Sequence, residues 1–263
     1  MRVDGRVIKE PGTQVDPDRQ EVRVHGKPIP GASALRYYMV HKPVGYITTL
    51  SDPEGRPTVR QLAPPGPRLF PVGRLDADTS GLLLLTNDGD LAHHLMHPRY
   101  GVVKFYRALL RESPDEKKLR RLRSGVRIEP GVVTAPAEVR VMAVRDGGAA
   151  VEFRIQEGRN RQVRKMCEAL GLSVRKLHRF GYGPLRLERL PKGASRPLTK
   201  VEISRLKASA ARPGGQGPPP VPRPRLGQST SRPGPRNTKR HSGPASRPPR
   251  GAGGQKTWPR GRH

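Results

Sequence analysis

A run of four leucines between two turn-forming segments constrains the fold of this chain more than any other feature. Residues 73–81 precede the leucines at positions 82–85, and Asn87-Asp88-Gly89 follows them. A short apolar run between turn residues is typical of a buried strand. Asp76 would lie at the mouth of that strand, between Arg74 and Asp78, where neighbouring charges tune its ionisation. This placement suits a nucleophilic or acid/base carboxylate, although spacing alone favours the simpler interpretation that Asp76 and Asp78 only hydrogen-bond a tight turn.

Positive charge dominates the chain, which has 263 residues and a formal net charge of +29. Residues 208–263 contain ten Arg, two Lys, twelve Pro, ten Gly and no acidic residue. Such a segment cannot bury enough apolar surface to offset its ordering entropy, so we expect a disordered tail. Without the tail's +12, residues 1–207 still carry +17, which indicates a polyanionic partner, with nucleic acid as the default. The tail either binds RNA without sequence preference or only aids solubility or targeting.

The pattern of apolar and turn residues predicts an α+β fold with a mixed or antiparallel sheet. Short β segments are expected in residues 1–30, strands at 37–40 and 102–110, and a hairpin joining 139–144 to 149–156. Helices are expected at residues 91–96, from a cap at Ser113 to about Arg123, and from a cap at Asn160 to Gly171.

Several classes of protein are disfavoured by what the sequence lacks. No apolar run approaches the roughly 20 residues of a membrane span, and the first residues have no apolar signal-peptide region. The single cysteine, Cys167, excludes an intrachain disulfide. His93 and His97 are one helical turn apart, but no acid or Cys completes a site, so no metal is expected. By elimination we expect a cytoplasmic protein.

The segment around Asp76 resembles the active-site motif of the ribosomal RNA pseudouridine synthases of the RsuA/RluB/RluE/RluF family. Further matches, in the same order, are Lys42-Pro43-Val44-Gly45, residues 157–166 and Arg196-Pro197-Leu198-Thr199. The resemblance implies the pseudouridine synthase fold and an isomerase that converts uridine to pseudouridine without a cofactor. It also implies ribosomal RNA or a pre-ribosomal particle as the partner, and we expect the protein to be a monomer.

The resemblance also assigns roles to individual residues. Asp76 corresponds to the catalytic nucleophile, Arg164 to the arginine that pairs with it, and Tyr106 to the active-site tyrosine that can stack on a flipped uracil. From the sequence alone, Arg164 could equally be a solvated helix charge and Tyr106 a core aromatic. Arg74, with Tyr106 and Arg164, is expected to support the active site. The expected RNA-binding residues are Lys42, Arg159, Asn160, Arg161 and Lys165.

Three regions follow from this comparison: a truncated S4-like RNA-binding segment at residues 1–32, a catalytic domain at 35–207 and the basic tail at 208–263. The family normally has a complete S4 domain here, whose two helices this chain lacks. Either the start codon is misassigned or a remnant suffices. Large-subunit (23S) rRNA is the favoured target, because residues 51–58 and the tail are most similar to the RluB group. Small-subunit (16S) rRNA is the alternative, and a non-catalytic RNA-binding or ribosome-assembly protein is the competing class.

Overall fold

The computed structural model describes residues 1–211, apart from Pro11, residues 17–18, residues 29–32 and residues 146–147. All of these residues belong to the first of two compact units, Met1–Val221. The expected basic tail therefore lies outside the described residues from position 212 onward. Within the described ranges, no helix combines the length and the apolar character needed to cross a membrane.

A small antiparallel sheet forms the N-terminal part of the chain. Its strands are β1 (Arg2–Val3), β2 (Arg6–Val7), β3 (Val22–Val24) and β4 (Lys27–Pro28), in the order β2-β1-β3-β4. Two of its hairpins turn on residue pairs with positive φ, Asp4-Gly5 and His25-Gly26. Positive φ at both central residues is typical of the tight turns that match the twist of a β-hairpin. The expected short β segments are thus confirmed, while their likeness to an S4 domain stays a prediction.

A nine-stranded sheet and a separate two-stranded ribbon form the rest of the β structure in the described part of the chain. The strands are β5 (Tyr37–Lys42), β6 (Phe70–Pro71), β7 (Thr79–Thr86), β8 (Lys104–Leu110), β9 (Arg127–Glu129), β10 (Val132–Val133), β11 (Glu138–Arg145), β12 (Gly148–Ile155), β13 (Val174–Tyr182), β14 (Leu185–Arg186) and β15 (Ser195–Pro197). The large sheet has the order β11-β12-β8-β13-β7-β5-β15; β14 pairs with β13 and β6 pairs with β7. Neighbouring strands pair antiparallel except β13 and β7, which run parallel. The ribbon consists of β9 and β10.

Four α-helices flank this sheet in the described part of the chain: α1 (Gly89–Met96), α2 (Glu116–Ser124), α3 (Gln162–Glu168) and α4 (Lys200–Ala210). Together with the mixed sheet they confirm the α+β class.

Three of the predicted helix caps are wrong. Asp115 rather than Ser113 caps α2, because the Asp115 carboxylate accepts from the Lys118 backbone N–H at 2.7 Å. Arg161 rather than Asn160 precedes α3, with a left-handed backbone (φ 50°) and no side-chain cap. The C-cap of α3 is Ala169, two residues before the expected Gly171.

The four leucines of β7 are buried on both faces of the sheet, as the sequence predicts. Leu83 and Leu85 pack in one core cluster, which also contains Phe153 and Met166. Leu82 and Leu84 pack in a second cluster on the other face. Full burial of each leucine contributes about 1.5–3 kcal/mol. A slip of one residue would still bury leucine on both faces, so the leucines alone do not set the register of β7. Gly81 does, because a Cβ at this position would lie 2.2 Å from the Arg179 carbonyl oxygen.

The Arg196-Pro197-Leu198-Thr199 motif has a structural explanation at the start of α4. The Arg196 guanidinium binds both carboxylate oxygens of Glu202, at 2.7 and 2.8 Å. Thr199 and Glu202 form a reciprocal capping box, which satisfies backbone N–H groups at the start of the helix. Because α4 continues to Ala210, residues 208–210 belong to this helix and not to the expected tail.

Candidate active site

Asp76 lies in the turn that leads into β7 and lines a pocket of about 160 Å³. Of the residues that the sequence assigned to the site, six line this pocket: Arg74, Asp76, Tyr106, Arg159, Asn160 and Arg161. Lys42, Arg164 and Lys165 do not. We call this cavity the Asp76 pocket; its apolar wall comes mainly from Ile155, Val163 and Leu177.

Tyr106 reaches the pocket because alternate residues of a strand share a face. On β8, Lys104 and Tyr106 both line the Asp76 pocket. Phe105 points to the opposite face, where the Arg186 guanidinium carbon lies 3.7 Å from its ring centroid. Only 9% of Tyr106 is exposed, so most of the ring is packed in the core and the remainder forms pocket wall. Tyr106 therefore faces the Asp76 pocket, and its stacking on uracil stays a prediction.

Three donors from one segment hold the backbone on both sides of Asp76. The Thr48 hydroxyl donates to the Leu75 carbonyl at 2.6 Å, and the Gly45 N–H donates to the Ala77 carbonyl at 2.7 Å. The Lys42 ammonium donates to the Thr79 carbonyl at 2.9 Å. Gly45 has φ 92°, a conformation that a glycine adopts without strain. The Lys-Pro-Val-Gly motif is thus a clamp on the Asp76 turn.

Lys42 is completely buried, which corrects its assignment to RNA binding. Its ammonium bonds the carbonyls of Pro43 and Thr79, so it cannot also reach a phosphate at the surface. Burial lowers the pKa of Lys42 to about 8, although the nearby Asp76 and Asp78 carboxylates oppose this shift. Lys42 therefore contributes positive charge and hydrogen bonds from beneath the Asp76 turn.

The ion pair of Arg164 is also different from the one that the resemblance implies. Its guanidinium contacts the Asp78 carboxylate at 3.2 Å and the Asp78 carbonyl at 3.0 Å, whereas Asp76 is not its partner. A further bond goes to the Val174 carbonyl at 3.1 Å. Arg164 is buried, which contradicts the alternative of a solvated helix charge. Its contacts anchor the turn that carries Asp76 to the first turn of α3.

Asp78 braces this turn, as the sequence suggested, but its partners come from far along the chain. Besides Arg164, its carboxylate contacts the Arg161 guanidinium at 3.3 Å and accepts from the Thr79 hydroxyl. Two carboxylates two residues apart thus have different environments. The Asp78 carboxylate pairs with Arg164, which does not line the pocket, and with Arg161, which does. Asp76 lines the pocket itself.

Basic side chains surround the mouth of the pocket. Arg159 and Arg161 are exposed, and each forms an ion pair, Arg159 with Glu157 at 3.0 Å. The Lys165 ammonium lies outside the pocket and forms an ion pair with Glu129. It also donates to the Asn160 side-chain oxygen at 3.4 Å. The expected phosphate contacts of these residues are untested by this geometry, and for Lys165 such a contact would compete with Glu129.

Two buried cations of the pocket wall were missed by the sequence reasoning. Lys104 and Arg179 are 6% and 3% exposed, and both line the Asp76 pocket. Arg179 sits beside Gly81 in the parallel pair of β13 and β7, where a Cβ on Gly81 would clash with the Arg179 carbonyl oxygen. The position of Lys104 could have been found, because it precedes Tyr106 by two residues on the same predicted strand face.

Comparison with known proteins shows the family of this chain. Residues 36–169 match the family model described as RNA pseudouridylate synthase. A Bacillus subtilis protein named ribosomal large subunit pseudouridine synthase B is 41% identical over 213 residues, which cover 80% of this chain and 86% of that protein. An Aquifex aeolicus protein, named as an uncharacterized RNA pseudouridine synthase, is 38% identical over 208 residues, 78% of this chain and 83% of that one.

A solved pseudouridylate synthase structure is similar along most of its length. It has a TM-score of 0.63 and 31% sequence identity, and the match covers 78% of this chain and 87% of that one. The fold and the matched sequence define an RNA-modifying isomerase. The chain belongs to the RNA pseudouridine synthase family.

Proposed function

We propose that this protein converts a uridine of large-subunit ribosomal RNA to pseudouridine, with Asp76 as the nucleophile. The observation that carries this proposal is the lining of the Asp76 pocket. Among the described residues that line it, Asp76 is the one carboxylate, and it shares the pocket with Tyr106, apolar side chains and several cations. A carboxylate in this position can serve as a nucleophile that forms a covalent intermediate.

The reaction moves the uracil from a nitrogen to a carbon linkage, and its electrons balance without a redox partner. A carboxylate oxygen of Asp76 bonds to C1′ of the ribose, the N1–C1′ bond breaks, and its electron pair remains on the uracil. The ring then turns, C5 bonds to C1′, and the bond from C1′ to Asp76 breaks. One proton leaves C5 and one is taken up at N1, so substrate and product are isomers.

The pocket suits a flipped base on a polyanion. The ring of Tyr106 and the side chains of Ile155 and Leu177 offer surfaces for a planar base, while Arg74, Arg159 and Arg161 lie where flanking phosphates would approach. A base must leave its stack to reach Asp76, and a nucleotide in an RNA loop does so at least cost. We infer that the protein acts as a cytoplasmic monomer on rRNA or a pre-ribosomal particle.

The choice of large-subunit rRNA is supported by the name of the Bacillus subtilis relative and by the similarity of residues 51–58 to the RluB group. Pseudouridine mapping of both rRNAs in a deletion strain tests it. We expect one large-subunit site to disappear and to return on complementation with the wild-type gene but not with Asp76→Asn. Loss of a small-subunit site alone would reassign the target. Return of the site with Asp76→Asn would support a non-catalytic protein.

A further inference from the structure

Lys104 is a buried lysine that lines the Asp76 pocket, and it has no role in the reaction as described above. It begins β8, pairs with Ile155 of β12, and precedes Tyr106 on the same strand face. Its ammonium donates to the Gln156 carbonyl at 3.1 Å and lies 5.5 Å from the centroid of the Tyr182 ring. An ammonium has three N–H donors, so this bond leaves it able to contact a ligand.

The surroundings of Lys104 disfavour its positive charge. Burial lowers its pKa to about 8, the neighbouring Arg179 lowers it further, and Glu157 partly compensates. Lys104 forms no salt bridge with any of the described residues. Its hydrogen bond goes to the Gln156 carbonyl, which is neutral. A buried cation of this kind is stabilised when negative charge appears beside it, and by the same amount it stabilises that negative charge.

We propose that Lys104 is a second catalytic residue, whose ammonium stabilises the negative charge that the uracil acquires when the N1–C1′ bond breaks. The inference rests on the proposed function, because the uracil anion forms only if the N1–C1′ bond is broken in this pocket. The electron pair of the broken bond is shared between N1 and the two carbonyl oxygens of the ring. A hydrogen bond from Lys104 to that system is stronger in the transition state than with neutral uridine, which is the requirement for catalysis.

Lys42 provides a matched comparison within the same molecule. It is also a buried lysine near Asp76, and burial also lowers its pKa to about 8. However, it does not line the pocket, and it bonds two carbonyls of the protein. Removal of Lys42 should disturb the Asp76 turn whatever the substrate. Removal of Lys104 should matter less when the leaving group is intrinsically more stable as an anion.

The test compares RNA substrates that carry uridine or 5-fluorouridine at the target position. Fluorine at C5 withdraws electrons and stabilises the uracil anion, so the enzyme has less charge to stabilise. Single-turnover cleavage of the N1–C1′ bond is followed by nucleoside mass spectrometry, as loss of the N-linked target nucleoside, for wild type, Lys104→Met and Lys42→Met. This step is common to both substrates, whereas fluorine at C5 blocks the later loss of a proton from that carbon. We expect Lys104→Met to slow conversion of uridine about 100-fold, the usual effect of removing one donor to a developing anion. The loss on 5-fluorouridine should be about 10-fold or less.

Each remaining outcome is informative. Equal losses on the two substrates, or the same substrate dependence for Lys42→Met, would overturn the role of Lys104. Absence of uridine conversion by the wild-type enzyme would instead refute the proposed function. Lys104→Met should fold, because methionine is similar in shape and removes a buried charge; circular dichroism and RNA binding check this. If it does not fold, Lys104→Gln is measured in its place and judged by the same criterion.

Discussion

Arg164 donates to the Asp78 carbonyl at 3.0 Å and forms an ion pair with the Asp78 carboxylate at 3.2 Å, across 86 residues of sequence. This pair joins α3 to the turn that carries Asp76. Lys42, Gly45 and Thr48 hold the same turn from the other side. The position of the proposed nucleophile is therefore fixed mainly through its backbone, by donors that do not touch its carboxylate.

Substitution of Arg164 by alanine should lower both stability and turnover. It leaves the Val174 and Asp78 carbonyls without their donor, and we expect the free energy of unfolding to fall by about 2–4 kcal/mol. Turnover should fall because the Asp76 turn loses its anchor. RNA affinity should change little, since it depends on many phosphate contacts. Urea denaturation, single-turnover kinetics and filter binding measure the three quantities.

Arg161→Ala is the matched control for this prediction. Arg161 contacts the same Asp78 carboxylate, but 40% of its side chain is exposed, compared with 7% for Arg164. An exposed ion pair contributes at most about 1 kcal/mol. Equal destabilisation by the two variants would contradict the anchoring role of Arg164, and a large loss of RNA binding with normal chemistry for Arg164→Ala would assign it to phosphate contact.

Thr48→Val should reduce turnover with little change in RNA affinity. Valine keeps the shape of threonine but removes the hydroxyl that donates to the Leu75 carbonyl at 2.6 Å and accepts from the Leu75 N–H at 3.2 Å. The loss of these buried bonds should cost about 1–3 kcal/mol of stability and loosen the backbone beside Asp76. Thr49→Val, which removes a bond to the carbonyl of Ser51 two residues along the chain, should leave turnover unchanged. Single-turnover rates of the two variants check this. Equal rates for Thr48→Val and Thr49→Val would contradict the role of Thr48.

The start of α4 should show a defined dependence on pH. The Arg196 guanidinium lowers the pKa of Glu202 from 4.5 to about 2. Because the pKa of Glu202 is lower in the folded state, the ionised Glu202 carboxylate stabilises that state fully above pH 4.5. This contribution disappears as the pH falls toward 2. Relative to Glu202→Gln, wild type should be more stable by about 2 kcal/mol at pH 7, and the difference should shrink below pH 4.5. A difference that does not vary with pH would exclude this ion pair as its source.

Truncation after Ala211 should weaken RNA binding without changing the chemistry. Residues 212–263 carry ten Arg and two Lys and no acidic residue. Each phosphate that they neutralise adds about 0.7–0.9 to the slope of log affinity against log salt. The truncated protein should have a shallower slope and the same maximal rate on the same uridine. Identical slopes would limit the tail to solubility, and a shifted modification site would show that the tail selects the target.

Much of the architecture was predictable because it is encoded locally. The leucines of β7 and the alternation in β8 fix which side chains are buried, and these strands position Asp76 and Tyr106. The helix caps were less predictable, since Ser113 and Asp115 are both capable of capping and packing selects between them.

The side-chain contacts around Asp76 depend on tertiary packing and could not be read from the sequence. Asp76 and Asp78 are equally suited to receive Arg164, and only the docking of α3 decides between them. No sequence pattern marks Thr48, because its role depends on a hydrogen bond to Leu75, 27 residues away in the Asp76 turn. The burial of Lys42 follows from the place of β5 between β7 and β15 in the sheet.

The central claim, that Asp76 is the nucleophile, is tested most directly by tritium release from rRNA labelled at C5 of uridine. Wild type, Asp76→Asn and Asp78→Asn are compared at saturating enzyme, with filter binding to confirm that all three bind RNA. We predict that Asp76→Asn loses about 10⁴-fold or more of the release. Asp78→Asn, which keeps the shape of the turn, should lose about 10-fold, the effect of a modest misplacement. Equal release by wild type and Asp76→Asn would contradict the account.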